Sequence, residues 1–357
     1  MGRDTEADVV PAETSVTGAG VRAGRLLIPD VLRGIAIIAM LVAHAAVFVP
    51  DKPLPVTFVS SMLNEMASPL FALVMGMSAQ LVWNRAPRVP VTLLQQTVRG
   101  LFLIALGVWM ATWGSWVAII LGHLGILLIV GAPILLARTP WVIAIAATLL
   151  LASDPLVRLA RGWMWAYTAP SPLHELLDWV VMSPSYRLLN LLPFFLAGGL
   201  LIRHGLRRDG LLWALAGVAV VAYLSWGVAA FTELGGTESG LLFDSLRDVG
   251  LVFGMYVLVV LAATTAGSAG RFWRGLSVPL VACGQVALSL YLLHVGLIAV
   301  YNNALGRPEH NDLLGWLVIV PGMILVGWLW WRFVGTGPVE WAMGLVTGRR
   351  KPLRPAR

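Results

Sequence analysis

An apolar segment near the N-terminus, PDVLRGIAIIAMLVAHA at 29–45, contains three ionisable side chains: Asp30, Arg33 and His44. An ionisable side chain in hydrocarbon costs about 2.5–3.5 kcal/mol on insertion scales, so it usually faces a protein interior, a cavity or a site. Histidine exchanges a proton near neutral pH and can act as a base or a nucleophile. The segment therefore indicates chemistry inside a membrane rather than lipid anchoring alone.

Three further titratable groups lie within long apolar stretches, namely Glu65, His123 and His294. At a rise of about 1.5 Å per residue, these groups and His44 lie roughly 8–13 Å below the same end of four helices. A lone histidine can simply hydrogen-bond a neighbouring helix, and this structural role is favoured for His123. A buried carboxylate is more costly, so Glu65 needs a partner or a proton.

A second polar group lies toward the opposite ends of the helices. Asp30 and Arg33 are three residues apart and therefore lie on one side of a helix. Gly34 follows them directly and leaves room for a helix or a ligand to come close. Arg99 and Arg332 belong to the same end of the predicted bundle, although either one alone is typical of a side chain that extends toward lipid headgroups.

Composition establishes the class of protein. Of 357 residues, 58% are hydrophobic and 12% are charged, against roughly 25% charged in soluble domains. The chain is therefore predicted to be an all-α polytopic membrane protein with about ten transmembrane helices, within a range of nine to eleven. The single cysteine allows no disulfide within the chain. The predicted spans lie at roughly 26–49, 56–83, 97–113, 115–137, 140–158, 186–203, 211–231, 247–266, 277–301 and 312–334.

The basic residues indicate the orientation. Most of the 25 Lys and Arg residues fall on one side if both termini are cytoplasmic, as the positive-inside rule expects. Residues 1–24 are predicted to be a disordered cytoplasmic tail, 25–336 the helical domain, and 337–357 a basic cytoplasmic tail. The net charge of +7 is explained by this topology, so no nucleic-acid partner is predicted. No metal is predicted either, because no ligand pair has a spacing such as His-x-x-x-His.

Four segments are similar in sequence to known proteins: DVLRGIAIIAMLVAH at 30–44, ASPLFALVMGMSAQL at 67–81, GQVALSLYLLHVGLI at 284–298 and GPVEWAMGLVTGRRK at 337–351. Together they resemble transmembrane acyltransferases related to heparan-α-glucosaminide N-acetyltransferase, their bacterial relatives and the acyltransferase-3 family. The likeness spans roughly 25–350, since the segments occur in the same order.

The resemblance implies that the chain takes an acyl group, an acetyl group by preference, from cytoplasmic acyl-CoA. It delivers that group to a hydroxyl or amine of a carbohydrate or envelope-lipid acceptor on the outer side of the cell membrane. Asp30, Arg33, Arg99 and Arg332 are the candidate residues for holding the CoA, because arginine binds phosphate through bidentate, charge-assisted hydrogen bonds. Related enzymes also make a homodimer a possible assembly.

The catalytic candidates follow from the same resemblance. Acyl transfer needs a base for the acceptor's proton or a nucleophile that carries the acyl group. His44 is the first candidate for either role, His294 is the second, and Glu65 is a candidate for orienting one of these imidazoles.

The segment 161–185 is the longest predicted outer connection. This segment is compatible with an interfacial helix that shapes access of the acceptor, formed by Trp163, Trp165 and Trp179 with His174, Glu175 and Asp178. An aromatic belt at the membrane surface is the commoner interpretation of such a pattern.

Two other classes of function remain open on the sequence. A transporter or flippase also places polar groups near the midplane of the membrane, and Pro193 and Pro321 are candidate helix breaks. A noncatalytic membrane protein is the other alternative, and it would tolerate the loss of His44.

Overall fold

The computed structural model describes residues 27–85, 88–232 and 236–348, and the regular elements in these ranges are helical. The predicted tail at 1–24 lies outside the described residues. The helices are α1 (Leu27–Ala45), α2 (Leu54–Arg85), α3 (Val89–Ala111), α4 (Leu121–Ile134), α5 (Thr139–Arg161), α6 (Met164–Tyr167), α7 (Leu173–Leu177), α8 (Leu188–His204), α9 (Gly210–Thr232), α10 (Leu242–Thr264), α11 (Gly267–Gln285), α12 (Ala287–Leu305), α13 (Leu313–Leu317), α14 (Met323–Phe333) and α15 (Pro338–Val346).

Eight helical stretches among the described residues are long and apolar enough to cross a membrane, with α13 and α14 forming one of them through a π-helical turn. Two shorter apolar helices, α4 and α8, correspond to the other two predicted spans. The prediction of an all-α polytopic membrane protein is therefore confirmed. We call the end of the bundle at which α1 begins the lower face, and the end at which α1 finishes the upper face.

The helices of the core approach one another closely through glycine. A Cβ at Gly34 of α1 would overlap the Leu280 carbonyl oxygen of α11, and one at Gly284 of α11 would overlap the Asp30 carbonyl oxygen of α1. Without much hydrophobic driving force between helices in lipid, small residues permit the close packing that holds such helices together. The lower half of α1 is therefore in direct backbone contact with α11.

Replacement of Gly34 by alanine is expected to destabilise the protein, because the clash is with backbone and not with a flexible side chain. Overpacking of this kind costs about 1–3 kcal/mol. Gly217→Ala is the matched control, since Gly217 lies in α9 with open space around it and alanine favours a helix over glycine by up to about 1 kcal/mol. Thermal unfolding in detergent checks this; equal melting temperatures for the two variants would contradict the packing described.

The predicted span 277–301 is broken at Val286, between α11 and α12. The break is capped from a distance, because the Glu340 carboxylate of α15 accepts hydrogen bonds from the amides of Leu288 (2.7 Å) and Ser289 (3.2 Å). These amides belong to the first turn of α12 and have no partner within their own helix. Burial raises the pKa of Glu340, and the same hydrogen bonds oppose that shift.

The helix α4 begins at Leu121, six residues after the predicted 115. The preceding chain turns at Gly114, where φ is +76°. Side chains of α12 hold this turn, since the Asn302 amide donates to the Gly114 carbonyl (2.7 Å) and the Asn303 amide donates to the Trp113 carbonyl (2.9 Å). A short non-helical segment therefore replaces the first part of the predicted span.

Candidate functional site

The two candidate histidines meet in the upper half of the bundle. Nδ1 of His44 in α1 lies 2.9 Å from Nε2 of His294 in α12. The ring planes are 16° apart with centres separated by 5.2 Å, so the imidazoles meet edge to edge. His294 is fully buried, whereas His44 is half-buried. Residues 250 positions apart in sequence thus form one hydrogen-bonded pair.

The hydrogen bonds define which nitrogens carry protons. Nδ1 of His294 lies 3.0 Å from the Leu290 carbonyl oxygen, which can only accept, so this nitrogen is the donor. In neutral His294, Nε2 must then accept, and Nδ1 of His44 must donate to it. This arrangement leaves the lone pair on Nε2 of His44, the nitrogen that faces away from the pair. Such a nitrogen can receive a proton or attack an electrophile.

A cavity of about 900 Å³ extends through the lower half of the bundle. Its volume lies in the range typical of small-molecule and cofactor sites. Four arginines, each from a different helix, line it with Asp30: Arg33, Arg99, Arg274 and Arg332. The structure therefore brings the four lower-face candidates predicted from the sequence to one cavity, and it adds Arg274.

Hydrogen bonds organise the polar side of this cavity. The Arg33 guanidinium donates to Ser78 Oγ of α2 (2.7 Å) and pairs with Asp30 (3.3 Å). Gln285, at the end of α11, receives a hydrogen bond from the Trp331 indole (3.1 Å), and its own amide nitrogen lies 3.5 Å from Asp30. Because these groups come from α1, α2, α11 and α14, the polar wall joins four helices.

The cavity extends upward to the histidine pair. Along α1 its wall runs from Leu27 to Met40, about 20 Å at the rise of an α-helix. Met40 lies four residues before His44, and Tyr291, also in the wall, lies three residues before His294. Residues at these spacings are neighbours on a helix surface. The upper end of the cavity is therefore one helical turn below the imidazoles.

The position of Arg99 differs from the prediction. The helix α3 begins at Val89, eight residues before the predicted 97, so Arg99 lies ten residues into the helix. Its guanidinium lies 3.4 Å from the Gln96 side-chain oxygen. Arg99 therefore lines the cavity from within the helix rather than from its end.

Part of the segment predicted as a basic tail is folded into this site. The helix α15 lines the cavity with Glu340, Met343 and Gly344. Ser289 Oγ also donates to the Glu340 carboxylate, which ties α15 to α12. Residues 349–357 of the predicted tail lie outside the described residues.

Glu65 has a different partner from the one predicted. Its carboxylate oxygen lies 2.7 Å from the Arg247 guanidinium of α10, and the described contacts of the two imidazoles do not include it. Arg247 also pairs with Asp244 and lies 3.6 Å from Asp248. The oxygens of the three carboxylates lie within 4.8 Å of one another, so Arg247 supplies the positive charge that holds them together. The Leu290 carbonyl, not Glu65, orients His294.

His123 lies apart from the histidine pair. It lines a smaller cavity of about 300 Å³ with Asp178, Trp179 and Tyr186. The four titratable groups predicted at one depth thus separate into the histidine pair, the Glu65 cluster and this smaller cavity.

The fold and the site together define a polytopic membrane protein with a charged cavity that leads to a pair of hydrogen-bonded histidines. A family model described as an acyltransferase domain, acyltransferase-3, matches residues 26–332. The chain therefore belongs to the acyltransferase-3 family of membrane acyltransferases, and the resemblance found in the sequence is confirmed at that level. None of the curated proteins compared with the chain matches it.

Sequence reasoning overlooked three residues of the site. Arg274 lies just before an apolar run, where a basic residue is typical of a cytoplasmic helix end, and Glu340 lies in the segment predicted as a tail. Arg247 lies at the edge of a predicted span. The position of Glu65 in the sequence could have pointed to Arg247. A carboxylate within an apolar span requires a cation or a proton.

Proposed function

We propose that the protein transfers an acetyl or similar short acyl group from acyl-CoA to a hydroxyl or amine of a carbohydrate or envelope-lipid acceptor. One observation carries this proposal, namely the cavity with arginines from four helices whose upper end lies one turn below the His44–His294 pair. The charge of this cavity and membership of the family support the choice of acyl-CoA as donor. No Gly-rich phosphate loop occurs in the sequence.

The lower part of the cavity suits the phosphates of CoA. Guanidinium groups bind phosphate oxygens through paired, charge-assisted hydrogen bonds. Above them the wall becomes apolar, with Phe71, Val74, Leu103 and Leu124 among its residues. This wall suits an extended pantetheine chain with its acyl group at the upper end, where the thioester would approach the histidines.

His44 then acts as the base of the transfer. Its Nε2 takes the proton of the acceptor hydroxyl or amine while the acceptor atom forms a bond to the thioester carbonyl carbon. The carbon–sulfur bond breaks, and the leaving CoA thiolate receives the proton from the His44 imidazolium. His294 positions the ring and supports the positive charge through its hydrogen bond to Nδ1 of His44.

The proposal includes an orientation in the cell membrane. The basic residues of the lower face are expected in the cytoplasm by the positive-inside rule, which is also where acyl-CoA occurs. The acceptor then binds from the upper, outer face. The protein thus joins a donor from one side of the membrane with an acceptor from the other.

Binding of acetyl-CoA is expected to raise the melting temperature of the purified protein, because a ligand of the folded state stabilises it by about 2.7 kcal/mol at one hundred times its Kd. The measurement compares acetyl-CoA, free CoA and ATP, which shares the adenosine and phosphates of CoA but has no pantetheine arm. Arg99→Gln and Arg332→Gln should each reduce the shift and its dependence on salt. Arg138→Gln is the matched control, because Arg138 precedes α5 and is outside the cavity wall.

A shift with acetyl-CoA and CoA, but not with ATP, supports the proposed donor. The same shift with all three ligands would indicate a general anion site and count against acyl-CoA. Absence of any shift in melting temperature at millimolar acetyl-CoA would overturn the assignment of acyl-CoA as donor. Solute transport would then be the favoured function.

A further inference from the structure

Tyr291 carries a buried hydroxyl that the proposed mechanism does not use. It lies in α12, three residues before His294, and the centres of the two rings are 5.3 Å apart with planes at 76°. The residue is 3% exposed and belongs to the wall of the large cavity, which we call the donor cavity. Tyr291 therefore lies at the upper end of the donor cavity, next to the histidine pair.

The hydroxyl of Tyr291 has one hydrogen-bond partner among the described residues. Its oxygen accepts from the Ile120 amide at 3.3 Å, and Ile120 also lines the donor cavity. A phenolic hydroxyl accepts through its lone pairs and donates its single hydrogen. An amide N–H can only donate, so the hydrogen of the Tyr291 hydroxyl stays available to a ligand in the cavity.

The start of α4 makes the surroundings of this hydroxyl electropositive. The helix begins at Leu121, directly after Ile120, and no side chain among the described residues caps it. The first amides of a helix have no partner within that helix, and together they give its N-terminus roughly half a positive charge. An atom that acquires negative charge beside Tyr291 is therefore stabilised by the hydroxyl and by the end of α4.

Attack on a thioester produces such an atom. When the acceptor atom bonds to the carbonyl carbon, an electron pair of the C=O bond moves onto the oxygen, which becomes an oxyanion. The pair returns to the C=O bond when the carbon–sulfur bond breaks and the CoA thiolate leaves. A preorganised donor about 2.7–3.1 Å from the oxyanion stabilises the transition state more than the ground state. The two histidines supply a base for this step but no donor for the oxygen.

From this geometry we propose that the Tyr291 hydroxyl donates a hydrogen bond to the thioester carbonyl oxygen and stabilises the oxyanion. The inference rests on the proposed acyl transfer and adds a catalytic residue to that reaction. His294 links the two catalytic groups, because its ring contacts Tyr291 and its Nε2 is hydrogen-bonded to His44. The hydrogen bond from the Ile120 amide strengthens the donation, since hydrogen bonds in a chain polarise one another.

The test uses acetyl-CoA labelled with carbon-13 at the carbonyl, bound to the full-length protein in phospholipid nanodiscs. Infrared difference spectra against unlabelled acetyl-CoA isolate the stretching band of the bound carbonyl, whose frequency a hydrogen bond lowers. We expect Tyr291→Phe to move this band to higher frequency without a large change in the Kd for acetyl-CoA. Tyr256→Phe is the matched control, because Tyr256 is equally buried, at 3% exposed, and is outside the cavity wall.

Turnover and a second substitution separate catalysis from a structural role. Removal of one oxyanion donor costs about 10²–10³-fold in kcat, so Tyr291→Phe should lose that much turnover. This variant also leaves the Ile120 amide without its acceptor. Tyrosine with one fluorine beside the hydroxyl, placed at position 291, still accepts from Ile120 and is a stronger donor because its hydroxyl is more acidic. It should move the carbonyl band to lower frequency than in the wild type, which a purely structural tyrosine would not do.

Opposite shifts of the band in the two Tyr291 variants, with Tyr256→Phe unchanged, support the oxyanion role. Where Tyr291→Phe fails to fold, the shift in the fluorinated variant decides alone. A band that keeps its wild-type frequency in the folded Tyr291 variants, while acetyl-CoA still binds, overturns the role of Tyr291 and leaves the proposed donor intact. Failure of acetyl-CoA to bind the wild-type protein overturns the proposed donor, and the role of Tyr291 is rejected with it.

Discussion

Replacement of His44 by alanine is expected to reduce acyl transfer by about 10²–10⁴-fold, the usual contribution of a positioned acid or base. Binding of acyl-CoA should remain, because the arginines of the donor cavity belong to its lower half and His44 is outside the wall. The measurement is release of CoA from acetyl-CoA by protein reconstituted with a cell-envelope extract as acceptor source. Thermal shift with acetyl-CoA on the same variant separates the loss of chemistry from the loss of binding.

His310→Ala is the matched control, since His310 is exposed in the connection before α13 and is expected to retain wild-type turnover. Turnover of His44→Ala within a few-fold of the control would remove His44 from the proposed mechanism. The partner histidine gives an independent test of the same step. His294→Leu removes the acceptor for Nδ1 of His44, whereas His294→Gln supplies an amide oxygen in its place, so the glutamine variant should retain more activity.

The two histidines are also expected to act as one unit. In such a unit the losses of the single variants do not add, and the double variant is about as impaired as His44→Ala alone. The pH dependence of turnover gives a further criterion, because loss of the hydrogen bond that His44 donates to His294 changes the proton affinity of the His44 ring. A merely structural role for His294 would lower the amount of folded protein without moving that profile.

The sequence predicted the class of fold because long apolar runs are a local property, although eight of the ten predicted spans correspond to described helices long enough to cross a membrane and two correspond to shorter apolar helices. The hydrogen bond between His44 and His294 could not be predicted from hydropathy and depth. Two residues at a similar depth on separate helices need not face each other. Depth restricts which residues can meet, but helix rotation decides which do. The Leu290 carbonyl accepts a hydrogen bond from His294 within α12 and so orients that ring, while the close packing of α1 against α11 restricts the rotation of α1.

The boundaries that the sequence misplaced are those that distant side chains determine. The break at Val286 depends on Glu340, and the late start of α4 depends on Asn302 and Asn303. A hydropathy profile does not detect either contact, because each contact joins parts of the chain that are far apart in sequence. Both misplaced boundaries lie beside the large cavity, whose lining includes Gln285, Ala287 and Leu121.

The second large effect is expected on the stability of the fold, at the Arg247 ion-pair cluster. Replacement of Arg247 by methionine is expected to destabilise the fold by about 3–5 kcal/mol, the usual result of leaving a buried charge without its partner. The side chain is 8% exposed. It is the cation shared by the Glu65, Asp244 and Asp248 carboxylates. Methionine preserves much of the volume, so the change tests the charge rather than the packing.

A second substitution separates electrostatics from packing at this cluster. Glu65→Gln removes one negative charge, so combining it with Arg247→Met should recover part of the lost stability, as residues in one ion-pair network are coupled. Arg161→Met is the matched control: its pair with Glu238 at 2.5 Å is largely exposed, and such pairs contribute little. Thermal unfolding in detergent measures all four variants. Additive effects of Arg247→Met and Glu65→Gln would contradict the shared cation, because the second substitution would then add its own cost instead of relieving repulsion among the carboxylates.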